Sequence, residues 1–205
     1  MGHAKFSQDD FLGAALAICA EQGASAVTVA AVSERLGSPT GSFYHRFASR
    51  DVLLGTLWIQ AVRKFQTGIS GAFEAKDGLQ AALHTPAWVR KNPEQARLLL
   101  LYDRKDFLHG GWPPELREQV AEMTERIEGG SRRWARVIFG KDGREEIRLA
   151  QFLISELPIA TVRQHLLRGE PPPPLIDHII QATYHGVLAN YRMRKKRSRA
   201  GRPQR

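Results

Sequence analysis

The sequence predicts an all-α fold, with an N-terminal three-helix unit built on a helix-turn-helix and a larger helical domain after it. Three observations carry this. Apolar residues recur at three- and four-residue spacing through nearly every segment. Helix starts and stops are marked by capping residues, glycines and prolines. No run alternates apolar and polar residues well enough to compete as a strand, and no internal repeat is visible.

Ser7 to Glu21 opens with Ser-x-x-Asp, close to a capping box, and sets Phe11, Ala15 and Ile18 on one face with Leu12, Leu16 and Cys19 beside them. Gln22 and Gly23 end that helix. Thr28 is a good N-cap for a second, with Val29, Val32 and Leu36 at helical spacing, and Gly37 supplies the positive φ of a sharp exit. Ser38 is read as the cap of a third helix, with Pro39 in its first turn, where a missing N–H costs nothing. Phe43 and Phe47, four apart, mark its inward face. That leaves Thr40, Ser42, Tyr44, His45 and Arg46 on outer and flanking faces, a set suited to base edges and phosphate oxygens. Ser49-Arg50-Asp51 reads as another capped start, with Arg50 near enough to neutralise a phosphate and a helix N-terminus to attract it.

From Asp51 to about Ala75 a broad apolar stripe (Leu53, Leu54, Leu57, Trp58, Ala61, Val62, Phe65) predicts a helix that bridges two domains. Gly68 and Gly71 weaken its far end, each by about 1 kcal/mol relative to Ala. Asp77 to about Lys91 contains Pro86, expected to kink or divide it. Asn92-Pro93-Glu94 starts a helix through Leu98 and Leu101 to about Arg104. Asp106 to Pro113 reads as a loop whose Phe107, His109 and Trp112 either line a cavity or simply anchor the loop. Pro114 to about Phe139 is helical with an interruption at Gly129-Gly130, and Asp142 to Leu157 continues as a helix until Pro158 disturbs it. Glu170 to Pro174 is an extended, rigid connector. Leu175 to about Arg194 forms the last helix. Ile176, Ile180, Thr183, Val187 and Tyr191 trace one apolar stripe on it and Ile179, Tyr184 and Leu188 widen it, broad enough to suggest packing against something large.

The formal net charge is +9, but its distribution matters more than its size. Residues 192–205 hold eight Lys or Arg and no acid, leaving 22 basic against 21 acidic side chains in the other 191 residues. DNA binding therefore has to rest on where a few groups sit. The single cysteine, Cys19, excludes an intramolecular disulfide and a cysteine metal cluster and reads as a small buried hydrophobe. No apolar run approaches bilayer length, and MGHAKFSQDD lacks the apolar stretch of a secretory signal, so a cytoplasmic protein without membrane partners is expected.

The sequence contains no HExxH, GxSxG, Walker or GxGxxG motif. His165, His178 and His185 have no carboxylate spaced to complete a metal site. Glu115, Glu118, Glu122 and Glu125 form a solvated face balanced by Arg117 and Arg126. No catalytic residue, metal or cofactor is assigned, and a non-enzyme is expected.

The stretch TVAAVSERLGSPTGSFYHRFASRDVLL resembles the DNA-binding signature of TetR-type transcriptional regulators, through Gly37, Ser38, Pro39, Thr40, Gly41, Tyr44, Phe47, Arg50, Asp51 and Leu53. Pro39 stands where the family usually has its capping Ser, Ser38 where a Val is common, and Arg50 replaces Lys with its charge kept. The resemblance covers roughly the first quarter of the chain and is architectural beyond Leu54. It implies DNA contacts by Thr28, Ser38, Pro39, Thr40, Gly41, Ser42, Tyr44, His45, Arg46 and Arg50. Within that set, Tyr44 and His45 meet phosphates, Thr28 and Arg50 anchor the backbone on either side, and Pro39, Thr40 and Ser42 face bases, with Gly41 allowing close approach. It also implies a small-molecule effector and a homodimer formed by the last two long helices, with Ile176, Ile180, Thr183, Tyr184, Val187, Leu188 and Tyr191 as the candidate dimer interface. Candidate pocket walls are Trp58, Trp88, Leu99, Tyr102, Phe107, Trp112, Trp134 and Phe152, each also readable as simple core.

The expected organisation is a DNA-binding domain over 1–50, a ligand-binding and dimerisation domain over 51–194, and a basic, disordered tail over 195–205. The expected function is a regulator, a repressor released from a palindromic double-stranded operator by a small, largely apolar ligand. Two other classes stay open at this level: an architectural DNA-binding protein without an effector, and a helical ligand carrier or enzyme.

Overall fold

The computed structural model describes residues 6–108 and 112–200, with side chains omitted at 126–128 and 198–200. Among the described residues ten α-helices run in order: α1 Gln8–Gln22, α2 Val29–Leu36, α3 Thr40–Tyr44, α4 Arg50–Glu74, α5 Gly78–Lys91, α6 Pro93–Leu101, α7 Pro114–Phe139, α8 Arg144–Gln151, α9 Leu157–Arg168 and α10 Leu175–Ala200. Short 3₁₀ turns cover Ala24–Ala26 and Arg104–Asp106, and there is no strand among the described residues. Lys5, His109 and residues 201–205 lie outside the described residues.

The caps predicted from sequence are formed for most of the N-terminal unit. Ser7 and Asp10 complete a capping box, the Thr28 hydroxyl accepts the Ala31 N–H, and the Ser49 hydroxyl accepts the Val52 N–H. The start of α3 differs. Gly37 sits in the left-handed region at φ 62°, and the N–H groups of Gly37 and Ser38 donate to Glu34 and Ser33. Ser38 therefore belongs to the exit of α2, the second residue past its end in a Schellman motif. Its hydroxyl is buried without a hydrogen-bond partner, and Pro39 is the residue before α3.

Two apolar cores share Leu99 at their margins. The first joins α1–α4 to Leu98, Phe107, Leu116 and Met123. Phe43 is its keystone, in edge contact with Phe11 at 5.8 Å and tilted against Phe47 at 5.6 Å, all three essentially inaccessible to solvent. Truncating such a phenylalanine costs about 3–5 kcal/mol. The second core gathers Ala72, Trp88, Trp134, Leu153, Val162, Ile176, Ile180 and Tyr184 from α4, α5, α7, α9, α10 and the turn between α8 and α9.

The longer helices pass their glycines and prolines without dividing. α5 is not divided at Pro86, which is buried inside it, and α7 runs unbroken through Gly129-Gly130. Between α8 and α9 the chain widens into a π-helical turn, Phe152–Glu156, the disturbance expected at Pro158. That widening accommodates Pro158 in the first turn of α9, since proline cannot supply the bond to the preceding turn and its ring crowds that turn's carbonyl. α10 continues to Ala200, past the expected end at Arg194, so residues 195–200 are helical.

The candidate dimer stripe also needs correcting. Ile176, Ile180, Tyr184 and Tyr191 are buried within the subunit, while Thr183, Val187 and Leu188 are half-buried beside them. They form the inner face of α10, packed on α5 and α9. A second stripe points outward: Leu175, Ile179, Ala182, Gly186, Ala189 and Met193, all exposed, recur at alternating steps of four and three. Its central residues are small, so hydropathy alone gives it little weight.

Candidate nucleic-acid interface

α3 is five residues long and stands on Phe43, which leaves its remaining side chains at the surface. Pro39, Thr40, Gly41, Tyr44 and His45 are exposed, and Ser38, Ser42 and Arg46 are half-buried beside them. The Tyr44 ring meets the edge of Phe43 at 5.4 Å, yet the residue remains 59% exposed, so its hydroxyl projects away from the core. Thr28 is exposed at the start of α2; its oxygen accepts the Ala31 N–H, leaving its own O–H free to donate outward. The N-terminus of α4 lies a few residues beyond α3. Exposed hydroxyls, an imidazole and two helix N-termini suit phosphate oxygens and base edges.

Arg50 is placed differently from the sequence reading. Its Nε donates to the Val27 carbonyl and its Nη2 to the Ala24 carbonyl, with Nη1 3.5 Å from Asp51. The guanidinium clasps the link between α1 and α2 onto the start of α4. It does not point outward to a phosphate. A planar fork suits two divergent carbonyls, which a lysine ammonium does not match.

Two further arginines fix the unit, and sequence reasoning passed over both. Arg35 forks onto the Glu21 carboxylate at 2.7 and 2.9 Å, bracing α2 against α1 and holding the Glu21 carboxyl below its ordinary range. Arg97 on α6 donates to the carbonyl of Ala20 at 2.9 Å and of Leu166 at 2.6 Å. It ties the end of α1, behind the helix-turn-helix, to the end of α9 in the second core. The available signal was a lone arginine entering a run of four leucines.

The eight candidate pocket residues divide between the two cores. Trp58, Tyr102, Phe107 and Trp112 pack in or against the first, Trp88, Trp134 and Phe152 in or against the second, and Leu99 against both. Trp58, Trp88, Phe107 and Trp134 are buried. An open groove of about 550 Å³ lies along α7, lined by Arg104, Leu108, Trp112, Arg117, Val120, Ala121, Thr124 and Glu125. Of the eight candidates only Trp112 lines it, with a buried indole N–H that has no partner, while Arg104 at the rim lies over the Trp58 ring at 5.4 Å. Cys19 is fully buried, and burial together with the nearby Asp106 charge pushes its thiol up to about 12.

These features define a class: a helix-turn-helix DNA-binding unit carried on a larger helical domain. Residues 11–57 match the sequence profile of the bacterial regulatory proteins of the TetR family. Most of the chain superposes on solved structures that share its helical fold. FadR from Bacillus subtilis, in complex with stearoyl-CoA, is 16% identical at a TM-score of 0.60, covering 89% of this chain and 96% of that one. The ketosteroid regulator KstR2 of Mycobacterium tuberculosis is 18% identical at 0.61, covering 92% and 96%. A TetR-family member from Streptomyces coelicolor A3 is 19% identical at 0.54, covering 85% and 96%. No curated protein matches. The match gives residues 11–57 a TetR-type DNA-binding domain, and the superpositions give the chain the all-helical fold of those structures. No helix among the described residues is long and apolar enough to cross a membrane.

Proposed function

We propose that the chain is a one-component repressor whose dimer holds a roughly palindromic operator and lets it go when a small, largely apolar molecule binds the second domain. The exposed polar face of α3, braced by Phe43 between two helix N-termini, carries this reading. Thr40 and Ser42, with Pro39 and Gly41 beside them, take the bases; Tyr44, His45 and Thr28 take phosphates. Arg50 supports them from behind through the Ala24 and Val27 carbonyls.

The second copy docks on the outward stripe of α10, with Leu175, Ile179 and Met193 flanking the small residues Ala182, Gly186 and Ala189. Two α3 helices then meet successive major grooves. α4 starts at the helix-turn-helix and ends in the second core, so it is the lever on which a ligand acts by preferring one arrangement of the two domains. The α7 groove, apolar along Leu108, Trp112 and Val120 with Arg104 and Arg117 on its walls, is the proposed ligand entry. Ligand response is supported by the likeness to FadR, solved in complex with stearoyl-CoA, and to the ketosteroid regulator KstR2.

Selecting bound sequences from random duplexes, then screening apolar acids and sterols for release, tests the proposal. One enriched inverted repeat, released by a compound that also raises the melting temperature, is expected. Uniform binding to every duplex indicates an architectural protein instead, and ligand binding without any selected duplex indicates a carrier.

A further inference from the structure

The helix-turn-helix occupies one end of the subunit, and a second, strongly basic surface occupies the other. α4 begins where Arg50 holds Ala24 and Val27, and near its far end Phe73 meets Trp134 of α7 at 5.3 Å. Its 25 residues span roughly 37 Å at the standard helical rise. Five residues further along α7, Phe139 packs on Tyr191 of α10 at 4.7 Å. The basic run of α10 starts there, at the end away from α3.

That run is helical and held in place. Arg194 pairs with Glu145, and the Lys195 ammonium lies 3.3 Å from both Glu145 and Glu146. Glu146, itself buried, also accepts the Tyr191 hydroxyl. These two acids are thus engaged by Arg194 and Lys195. Arg192, Lys196 and Arg197 stay exposed on the same helix, and Lys141 and Arg144 are exposed on the turn that leads into Glu145. The sequence adds Arg199, Arg202 and Arg205 and no further acid.

We propose that this surface binds the phosphate backbone of a second DNA segment, so that a protein seated on its operator tethers another stretch of duplex. The charge is complementary to a phosphate backbone and carries no groups arranged for base readout, which fits binding without sequence preference. A bilayer is the less suitable polyanion. A helix that lies on a membrane needs an apolar face, and among residues 192–199 only Met193 is apolar. The separation from α3 within the subunit makes the contact additional to operator recognition. The inference rests on the DNA-reading role of the opposite end, which the selection step tests by itself.

The test uses the full chain on an immobilised duplex of the selected sequence, with a labelled random-sequence duplex added in solution at 50 mM salt. Wild type is expected to capture the second duplex and to release it between 50 and 200 mM salt. The variant R192Q/K196Q/R197Q is expected to keep its melting temperature and to bind the first duplex within twofold of wild type, while capturing at least tenfold less of the second. Equal capture by the variant, or no capture by wild type, overturns the proposal. So does binding of wild type, but not the variant, to vesicles containing phosphatidylserine when no second duplex is captured; that result assigns the surface to anionic lipid.

Discussion

Arg50→Lys keeps the positive charge of the helix-turn-helix and removes only the fork that holds two carbonyls. Each hydrogen bond from a charged donor contributes about 1.5–3 kcal/mol net. The Arg50 side chain is 31% exposed, so the lower end applies. A lysine reaches one carbonyl and leaves the other, which puts the loss at about 2 kcal/mol for Arg50→Lys and about 3–4 kcal/mol for Arg50→Ala. For a chain of this size, a loss of about 2 kcal/mol lowers the melting temperature by roughly 4–8 °C. The assay pairs thermal unfolding with the salt dependence of operator binding. A guanidinium facing Ala24 and Val27 touches no phosphate, so the slope of log affinity against log salt stays unchanged in the alanine variant. A lost phosphate contact makes that slope shallower by about 0.9. A lysine variant that melts with wild type, together with an alanine variant that loses a full phosphate's slope, refutes the clasp.

Further expectations follow from single groups. Gly37→Ala places a side chain at φ 62° with no atom near its new Cβ, so backbone strain alone acts; about 1–2 kcal/mol of stability is lost. The same change at Gly71, helical and equally open, gains stability of up to about 1 kcal/mol, and urea titration separates the two. His84 lies against the Phe65 ring with Nε2 2.8 Å from the Phe65 carbonyl, and burial outweighs that contact in lowering its pKa. The unfolded chain then takes up the proton first, so this stability is complete above about pH 6.5 and is lost as pH falls from there toward the folded value; His84→Gln removes that part of the pH slope in unfolding titrations. Cys19, with its thiol raised to about 12, resists a thiol-reactive dye at pH 8 in the native protein and reacts once urea unfolds it.

The readable parts of the sequence were those governed by neighbours in the chain. Thr28, Gly37 and Ser49 act on backbone groups three or four residues away, and the spacing of Phe43 and Phe47 defines the buried side of α3 without outside information. The misreadings occur where a residue serves an element other than the next one. Ser38 looked like a cap for α3, but its N–H completes the exit of α2. Arg50 matched a phosphate-binding position, but Ala24 and Val27, more than twenty residues earlier, offer carbonyls within reach of its fork. In α10 hydropathy found the stripe of large residues, which the subunit buries for itself. The outward stripe is built around Ala182, Gly186 and Ala189, whose small side chains register weakly on any hydropathy count. Pocket residues were unreadable for a related reason: an aromatic at helical spacing fills a core or lines a groove according to which helix faces it, and that is a tertiary fact.

Sequence selection carried out in parallel with wild type, Tyr44→Ala and Thr40→Val tests the role of α3 most directly. The account predicts one inverted repeat for wild type, the same repeat bound more weakly by Tyr44→Ala, and an altered preference at defined positions for Thr40→Val. Identical preferences and affinities for all three proteins contradict it.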